Sequence, residues 1–226
     1  PLDRLRARGL RQARAWWPGV DTRLFIPGDS AAPSALLGPL AHPVSLYVGQ
    51  VSHDHRIEDF LRLDVPGSKL VCGAGPDMAA LRQRHPNVHW LGHLPRHVLA
   101  QVYAAADVFV FPSKNETFGL VMLEAMACGV PVAAYPVDGP LQVLGDGGAG
   151  AMREDLGQAW QEALRVPRHQ ARERAQRFGW ARAAELFVSY LAPLPRHLRR
   201  PRSEAASRPV PLSGARPVVT QTSSRR

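Results

Sequence analysis

Lysine is nearly missing from this chain: 26 of its 28 basic residues are arginine and only Lys69 and Lys114 are lysine. That bias points to a GC-rich bacterial coding sequence. Cysteine is equally scarce. Cys72 and Cys128 sit inside apolar stretches with no paired spacing, so no disulfide framework is expected, and both read as buried thiols of a reducing compartment. Long apolar runs are lacking too. The nearest, VYAAADVFVF at 102–111, is short and interrupted by Asp107, so no membrane span is expected. Acid is almost absent from residues 193–226, where eight arginines face only Glu204 and supply +7 of the +9 net charge. This Pro/Ser/Arg-rich stretch has no apolar periodicity and is expected to be disordered. The basicity therefore belongs to an appendage, and no nucleic-acid partner is expected. A solvated tail is preferred over one that binds anionic membrane. The N-terminus is Arg-rich and amphipathic rather than a secretory leader, starts without Met and begins mid-helix in pattern, which leads to the expectation of a fragment.

What is present supports a globular α/β domain. Hydrophobic residues make up 45% of the chain, enough to bury a sizeable core. Leu2–Trp17 places apolar residues at 2, 5, 10, 13, 16 and 17, approximating one helix face that Pro18-Gly19 would end. Residues 1–43 thus read as a linker helix and connector. Residues 44–192 form the main domain and 193–226 the tail. Within the domain, strand-like runs at 44–49, 69–73, 88–91, 107–111 and 130–134 alternate with helix-like segments at 56–63, 77–84, 96–106 and 118–128. That alternation predicts a Rossmann-like parallel sheet flanked by helices. Helices at 155–165, 167–178 and 180–191 follow with no strand to alternate with. In such sheets ligands bind beyond the carboxyl ends of the strands, so the loops after Gly49, Gly73, Leu91 and Phe111 should line the site.

The segment FPSKNETFGLVMLEAMACGVPVAA (111–134) is the most informative. A strand runs into a polar loop, Ser113 to Thr117, and a helix opens at Phe118 or Gly119. Thr117 can cap it, leaving the amides of Phe118, Gly119 and Leu120 aimed at the mouth of the site as an anion cradle. Glu116 and Glu124 flank that helix start in a Glu-x7-Glu spacing. Two carboxylates beside an anion cradle suit a ligand that carries hydroxyls as well as phosphates. Taken singly, each acid is more often a solvated charge. Glu124, however, lies within LVMLEAMACG, where a lone acid needs a partner.

The blocks GVDTRLFIPG, YVGQVSHDHRIEDFL, KLVCGAGP, VHWLGHL, YAAADVFVFPSKNETFGLVMLEAMACGVPVAAYPVDGP and AGAMREDL follow in an order and spacing that resembles the C-terminal half of family-4 retaining glycosyltransferases, over residues 9–191. Among these, the chain is similar to bacterial GDP-mannose-dependent alpha-mannosyltransferases and their lipid-glycosylating relatives. The resemblance implies one half of a GT-B fold holding a nucleotide-diphosphate sugar, GDP-mannose or a UDP-sugar, as donor substrate. It implies no metal or other cofactor and an acceptor that is a lipid or glycan. A separate N-terminal domain would supply the acceptor site. The place of action would be cytoplasmic, at most peripheral at the inner membrane face. By the same resemblance Glu116 would contact the donor sugar, Phe118 to Leu120 the phosphate and sugar, and Glu124 the ribose. Gly49 would let the diphosphate approach, and the loop with Gly73 and Gly75, together with 91–94, would border the base.

The sequence also departs from that family. After the first strand the family has Tyr-Val-Gly-Arg, with a Lys five residues beyond the Arg. Here those catalytic positions are Gln50 and His55. The two cations neutralise the departing diphosphate, and losing one such group costs about 3 to 4 kcal/mol by analogy with an oxyanion donor. Gln50 is neutral, and histidine is a weaker, pH-dependent cation. Lys114 and Arg56 are the nearest candidates to substitute. The departures favour, as an alternative, a catalytically impaired nucleotide-sugar-binding module. His53-Asp54-His55 lacks a third ligand and is not expected to hold a metal. Trp16, Trp17 and Trp180 read as packing residues.

Overall fold

The computed structural model describes residues 2–28, 37–116, 118–146 and 148–191. The expected disorder of the tail and the expected Thr117 cap lie outside these residues. Six parallel strands form one sheet: β1 Val44–Val48, β2 Ser68–Cys72, β3 His89–Gly92, β4 Val108–Phe111, β5 Val132–Ala134 and β6 Gly150–Met152. Their order is β3-β2-β1-β4-β5-β6. The helices are α1 Leu2–Ala7, α2 Ile57–Leu61, α3 Met78–Arg84, α4 Arg96–Ala105, α5 Leu120–Ala127, α6 Asp138–Leu144, α7 Leu156–Ala163, α8 Arg168–Gln176 and α9 Trp180–Tyr190. The Rossmann-like expectation holds.

Period-two alternation along the strands feeds two separate cores. Val44, Leu46, Val48, Leu70, Cys72, Phe109, Phe111 and Val132 face a layer built from α4, α5, α6 and α8. Tyr47, Val71, Val108, Val110, Ala133 and Ala151 face a layer built from α2, α3 and α7. A parallel sheet buried on both faces needs no polar alternation, which is why its strands read as continuous apolar runs. Both cysteines are buried and free, and burial pushes each thiol up to about 12.

Two expectations need correction. A strand, β6, does precede α7. It escaped notice because it is Gly-Ala-Met, and a β-carbon on Gly150 would lie 2.0 Å from the Val132 carbonyl oxygen. Close packing against β5 demands the smallest residue there, so the usual β-branched signature is missing. Residues 2–17 are also not one helix. α1 stops at Ala7, and the chain turns at Gly9 (φ +92°) so that both tryptophans reach the C-terminal helices. Trp16 Nε1 donates to the Ala183 carbonyl at 3.0 Å, and Trp17 packs on Phe178 with ring centroids 6.0 Å apart. Tertiary contacts there outweigh helical periodicity.

Helix α8 fixes the neighbours that carry the site. Arg168 donates to the carbonyls of Ala106 (2.7 Å) and Ala104 (3.0 Å) at the end of α4, and to that of Cys128 at the end of α5. Arg172 donates to Ala127 of α5, to Phe25 (2.6 Å) and to Thr22 (2.9 Å). Arg174 donates to Val143 (2.8 Å) and Gln142 (3.0 Å) in α6. Guanidinium groups at helix C-termini satisfy orphan carbonyls and oppose the negative end of the dipole.

At the opposite, carboxyl edge the loops after β1 and β2 press together. Val51 N–H donates to the Ala74 carbonyl at 3.1 Å, and Gly73 N–H to the Gly92 carbonyl at 2.7 Å. A β-carbon on Gly73 (φ +131°) would stand 1.9 Å from the Gly49 oxygen, and one on Gly75 would stand 2.2 Å from the Val51 oxygen. Gly92 (φ +66°) has open space around it. We therefore expect Gly73→Ala to cost about 3 kcal/mol or more through overpacking plus strain. Gly92→Ala should cost only about 1 kcal/mol, the left-handed penalty alone. Denaturant melts of the two variants check this, and equal losses would mean that the loops have room to part.

Candidate functional site

Chain connections leave β1 and β4 in opposite directions across the sheet, so a crevice opens between their carboxyl ends. A cleft of about 290 Å³ lies on the β2 side of β1, lined by Val48, Gly49, Gln50, Gly73, His93 and Leu94 among others. The loops after β1, β2 and β3 thus meet at one place, as their order in sequence suggested. Gly73 lines the cleft, and Gly73 and Gly75 both allow close backbone contacts with the β1 loop.

The loop after β4, expected to line the same site, contributes no described residue to that cleft and leads into the start of α5. Gly119 caps α5 in the left-handed region (φ +80°, ψ +67°), which a β-carbon would oppose by lying 2.5 Å from the Met122 methyl. The Glu116 side chain passes 3.5 Å from that same point, and its carbonyl oxygen stands 2.9 Å from where a β-carbon on Gly139 of α6 would lie. Glu116 is thus held between the start of α5 and the start of α6. Leu120 is exposed at the first turn of α5. The Phe118 ring turns away, packing edge-on to Phe178 at 6.1 Å and lining a separate cavity of about 630 Å³ with Trp16 and Trp17. Only its backbone remains near the β4 loop. Among the described residues the larger cavity has no carboxylate on its walls.

Glu124 has the partners that its apolar surroundings require. Tyr103 of α4 donates to its Oε2 at 3.2 Å, and Arg96 Nη2 approaches Oε1 at 3.6 Å. Burial raises the Glu124 pKa above the ordinary carboxylate value, and Arg96 and Tyr103 oppose the rise. Tyr103, fully enclosed, is pushed well above its usual range by burial and by the carboxylate, so it stays a donor. Sequence reading missed both partners. Their signal was present: Arg96 and Tyr103 stand seven apart, two turns along one face of α4.

Gln50 is exposed at the cleft, and its carbonyl accepts from the Tyr47 hydroxyl at 2.7 Å. His55 ends a short 3-10 turn, His53–His55, that is tied down by Asp77 accepting from the His53 amide at 2.7 Å. Among the described residues no group of three or more His, Cys, Asp or Glu could hold a metal ion, and no helix is long and apolar enough to cross a membrane. Tyr135, just after β5, was not anticipated. The Lys114 ammonium lies 4.1 Å from its ring centroid and the Arg56 guanidinium 5.9 Å.

This topology, with two acids flanking a glycine-capped helix start after β4, defines a doubly wound α/β domain. The chain belongs to the family described as glycosyl transferases group 1, whose model matches residues 42–166. It is similar to the D-inositol 3-phosphate glycosyltransferase of Mycolicibacterium smegmatis, 33% identical over 76% of this chain and 46% of that one. The chain thus spans about half the length of that curated relative. Among solved structures it is similar to sucrose-phosphate synthase from Thermosynechococcus elongatus, with a TM-score of 0.70 and 29% identity over 83% of this chain and 55% of that one. It also shares its fold with Anabaena HepE in complex with UDP, with a TM-score of 0.63 and 19% identity over 78% of this chain and 56% of that one.

Because Glu124 binds its proton more tightly in the folded state, its contribution to stability falls as pH rises from the ordinary carboxylate range through the raised native value. Glu124→Gln keeps an oxygen acceptor for Tyr103 and removes the buried charge. The variant should be more stable than the parent near pH 7, with the difference shrinking toward about pH 4. Thermal melts across that range measure it. A pH-independent difference would sink the assignment.

Proposed function

We propose that the chain is the donor-binding half of a retaining glycosyltransferase that transfers a hexosyl group from a nucleotide-diphosphate sugar. The observation that carries this is that Glu116 and Glu124 flank the start of α5, the helix that follows β4 at the switch point of the sheet. A diphosphate fits between Gly49 and the first amides of α5, where the helix dipole favours anions. Glu124 then accepts from ribose hydroxyls and Glu116 from the sugar. The loops at 73–76 and 91–94 border the base. The acceptor site belongs to a further domain, and no metal or organic cofactor takes part.

Family membership supports the reaction class. For the finer donor, UDP in the similar HepE structure supports a UDP-sugar over GDP-mannose. The name of the Mycolicibacterium relative supports a phosphorylated cyclitol as acceptor over the lipid or glycan suggested by the mannosyltransferase resemblance. The reaction would take place in the cytoplasm. A second reading, a nucleotide-sugar-binding module without turnover, is favoured by Gln50 and His55 standing where the family has cations. Adding the acceptor domain separates the two readings, since only an intact enzyme then releases UDP in the presence of acceptor.

Calorimetric titration of the full chain with UDP, GDP and their sugars tests the binding. UDP species should bind more tightly, and silence at millimolar ligand would exclude both readings. Glu124→Ala should weaken UDP about tenfold or more, the scale of losing hydrogen bonds to a charged group. Gln50→Arg with His55→Lys should tighten UDP and steepen its salt dependence. An unchanged affinity in that double variant would remove those positions from the phosphates.

A further inference from the structure

Two positively charged side chains converge on one ring beside the crevice. Tyr135 follows β5, takes the Lys114 ammonium over its ring at 4.1 Å and has Arg56 at 5.9 Å. Its hydroxyl donates to Asp59 Oδ2 at 2.8 Å, and Arg56 Nε and Nη2 each reach that same oxygen at 2.8 Å. The ring therefore ties the loop after β1 to the loop after β4, the two loops that wall the switch point.

The cations are held in different ways. Arg56 is the one non-glycine among the described residues with positive φ (54°), a conformation L side chains disfavour. Its ion pair with Asp59 and the ring offset that cost, so its charge is already committed. Among the described residues Lys114 has the ring face and a 3.6 Å approach to Glu154, whose side chain is 80% exposed. An ion pair that long and that open to water is weak and easily exchanged. Lys114 also precedes Glu116 by two residues, on the loop that leads directly into the amides of α5.

We propose that Lys114 is the cation that contacts the donor's diphosphate, exchanging Glu154 for it, while Arg56, Asp59 and Tyr135 form the platform that positions it. This rests on the donor-binding reading above. It supplies, from the β4 loop, charge that Gln50 and His55 do not bring from the β1 loop. A lysine on a flexible stem suits the role, because it can pivot from the ring face to a phosphate without moving the backbone.

The test is the ratio of UDP to UMP affinity, measured by calorimetry on the full chain. Lys114→Gln should lower that ratio about tenfold, the scale of a hydrogen bond between charged groups, while Lys114→Arg retains most of it. Glu154→Gln should tighten UDP about two- to threefold by removing the competitor, in line with a surface pair. Thermal melts confirm that each variant is folded. If the parent binds UDP and Lys114→Gln leaves the ratio unchanged, Lys114 has no phosphate role, although the donor-binding reading stands. Equal weakening of UDP and UMP would likewise overturn the proposal. If the parent binds neither nucleotide, the donor-binding reading itself fails.

Discussion

Burial of α5 on nearly every side is the constraint from which the site follows. Met122, Leu123, Ala125, Met126 and Ala127 are fully enclosed, packed against β4, β5, α4 and α8. Removing a buried leucine or methionine side chain from such a place costs about 2 to 5 kcal/mol, so the helix has one seat and no freedom to roll. Glu124 is the single charged residue within it. A carboxylate carried by so apolar a helix needs polar partners, and it finds them toward α4, where Tyr103 and Arg96 meet it. Core packing therefore sets the direction of a polar group with sub-turn precision.

Much of this was legible in the sequence because a doubly buried parallel sheet writes itself as uninterrupted apolar runs. Five of the six strands carry that mark. The sixth does not, because contact with β5 selects glycine and alanine, which say nothing about strands. The acids and glycines around α5 were visible for a different reason: their chemistry is conspicuous amid apolar neighbours. What pairs with them was not visible. Arg96, Tyr103 and Tyr135 come from other elements, and a seven-residue interval on α4 gains meaning only once α4 is known to lie beside α5. The N-terminal segment misled because Trp16 and Trp17 answer to Ala183, Phe187 and Phe178 rather than to a helix axis of their own.

The glycines after β2 show two demands meeting at one position. Family resemblance assigns Gly73 and Gly75 to the neighbourhood of the base. The structure adds that any side chain at either would collide with the backbone of the β1 loop. Loop packing and ligand access thus select the same residue, so its presence alone cannot distinguish them. A similar economy governs charge. The first strand's loop has Gln50 and His55 rather than arginine or lysine, while Arg56 and Lys114, distant in sequence, gather on Tyr135.

The arginines of α8 have a mechanical meaning. Arg168, Arg172 and Arg174 grip the carbonyl ends of α4, α5 and α6. The opposite ends of those three helices, at Arg96, Gly119 and Asp138, all point toward the crevice. The domain is thus clamped at its base like the fingers of a hand at the palm. A change of a few degrees in helix tilt about that base would then move the first residues of α4 and α5, Arg96 and Leu120, together rather than one at a time.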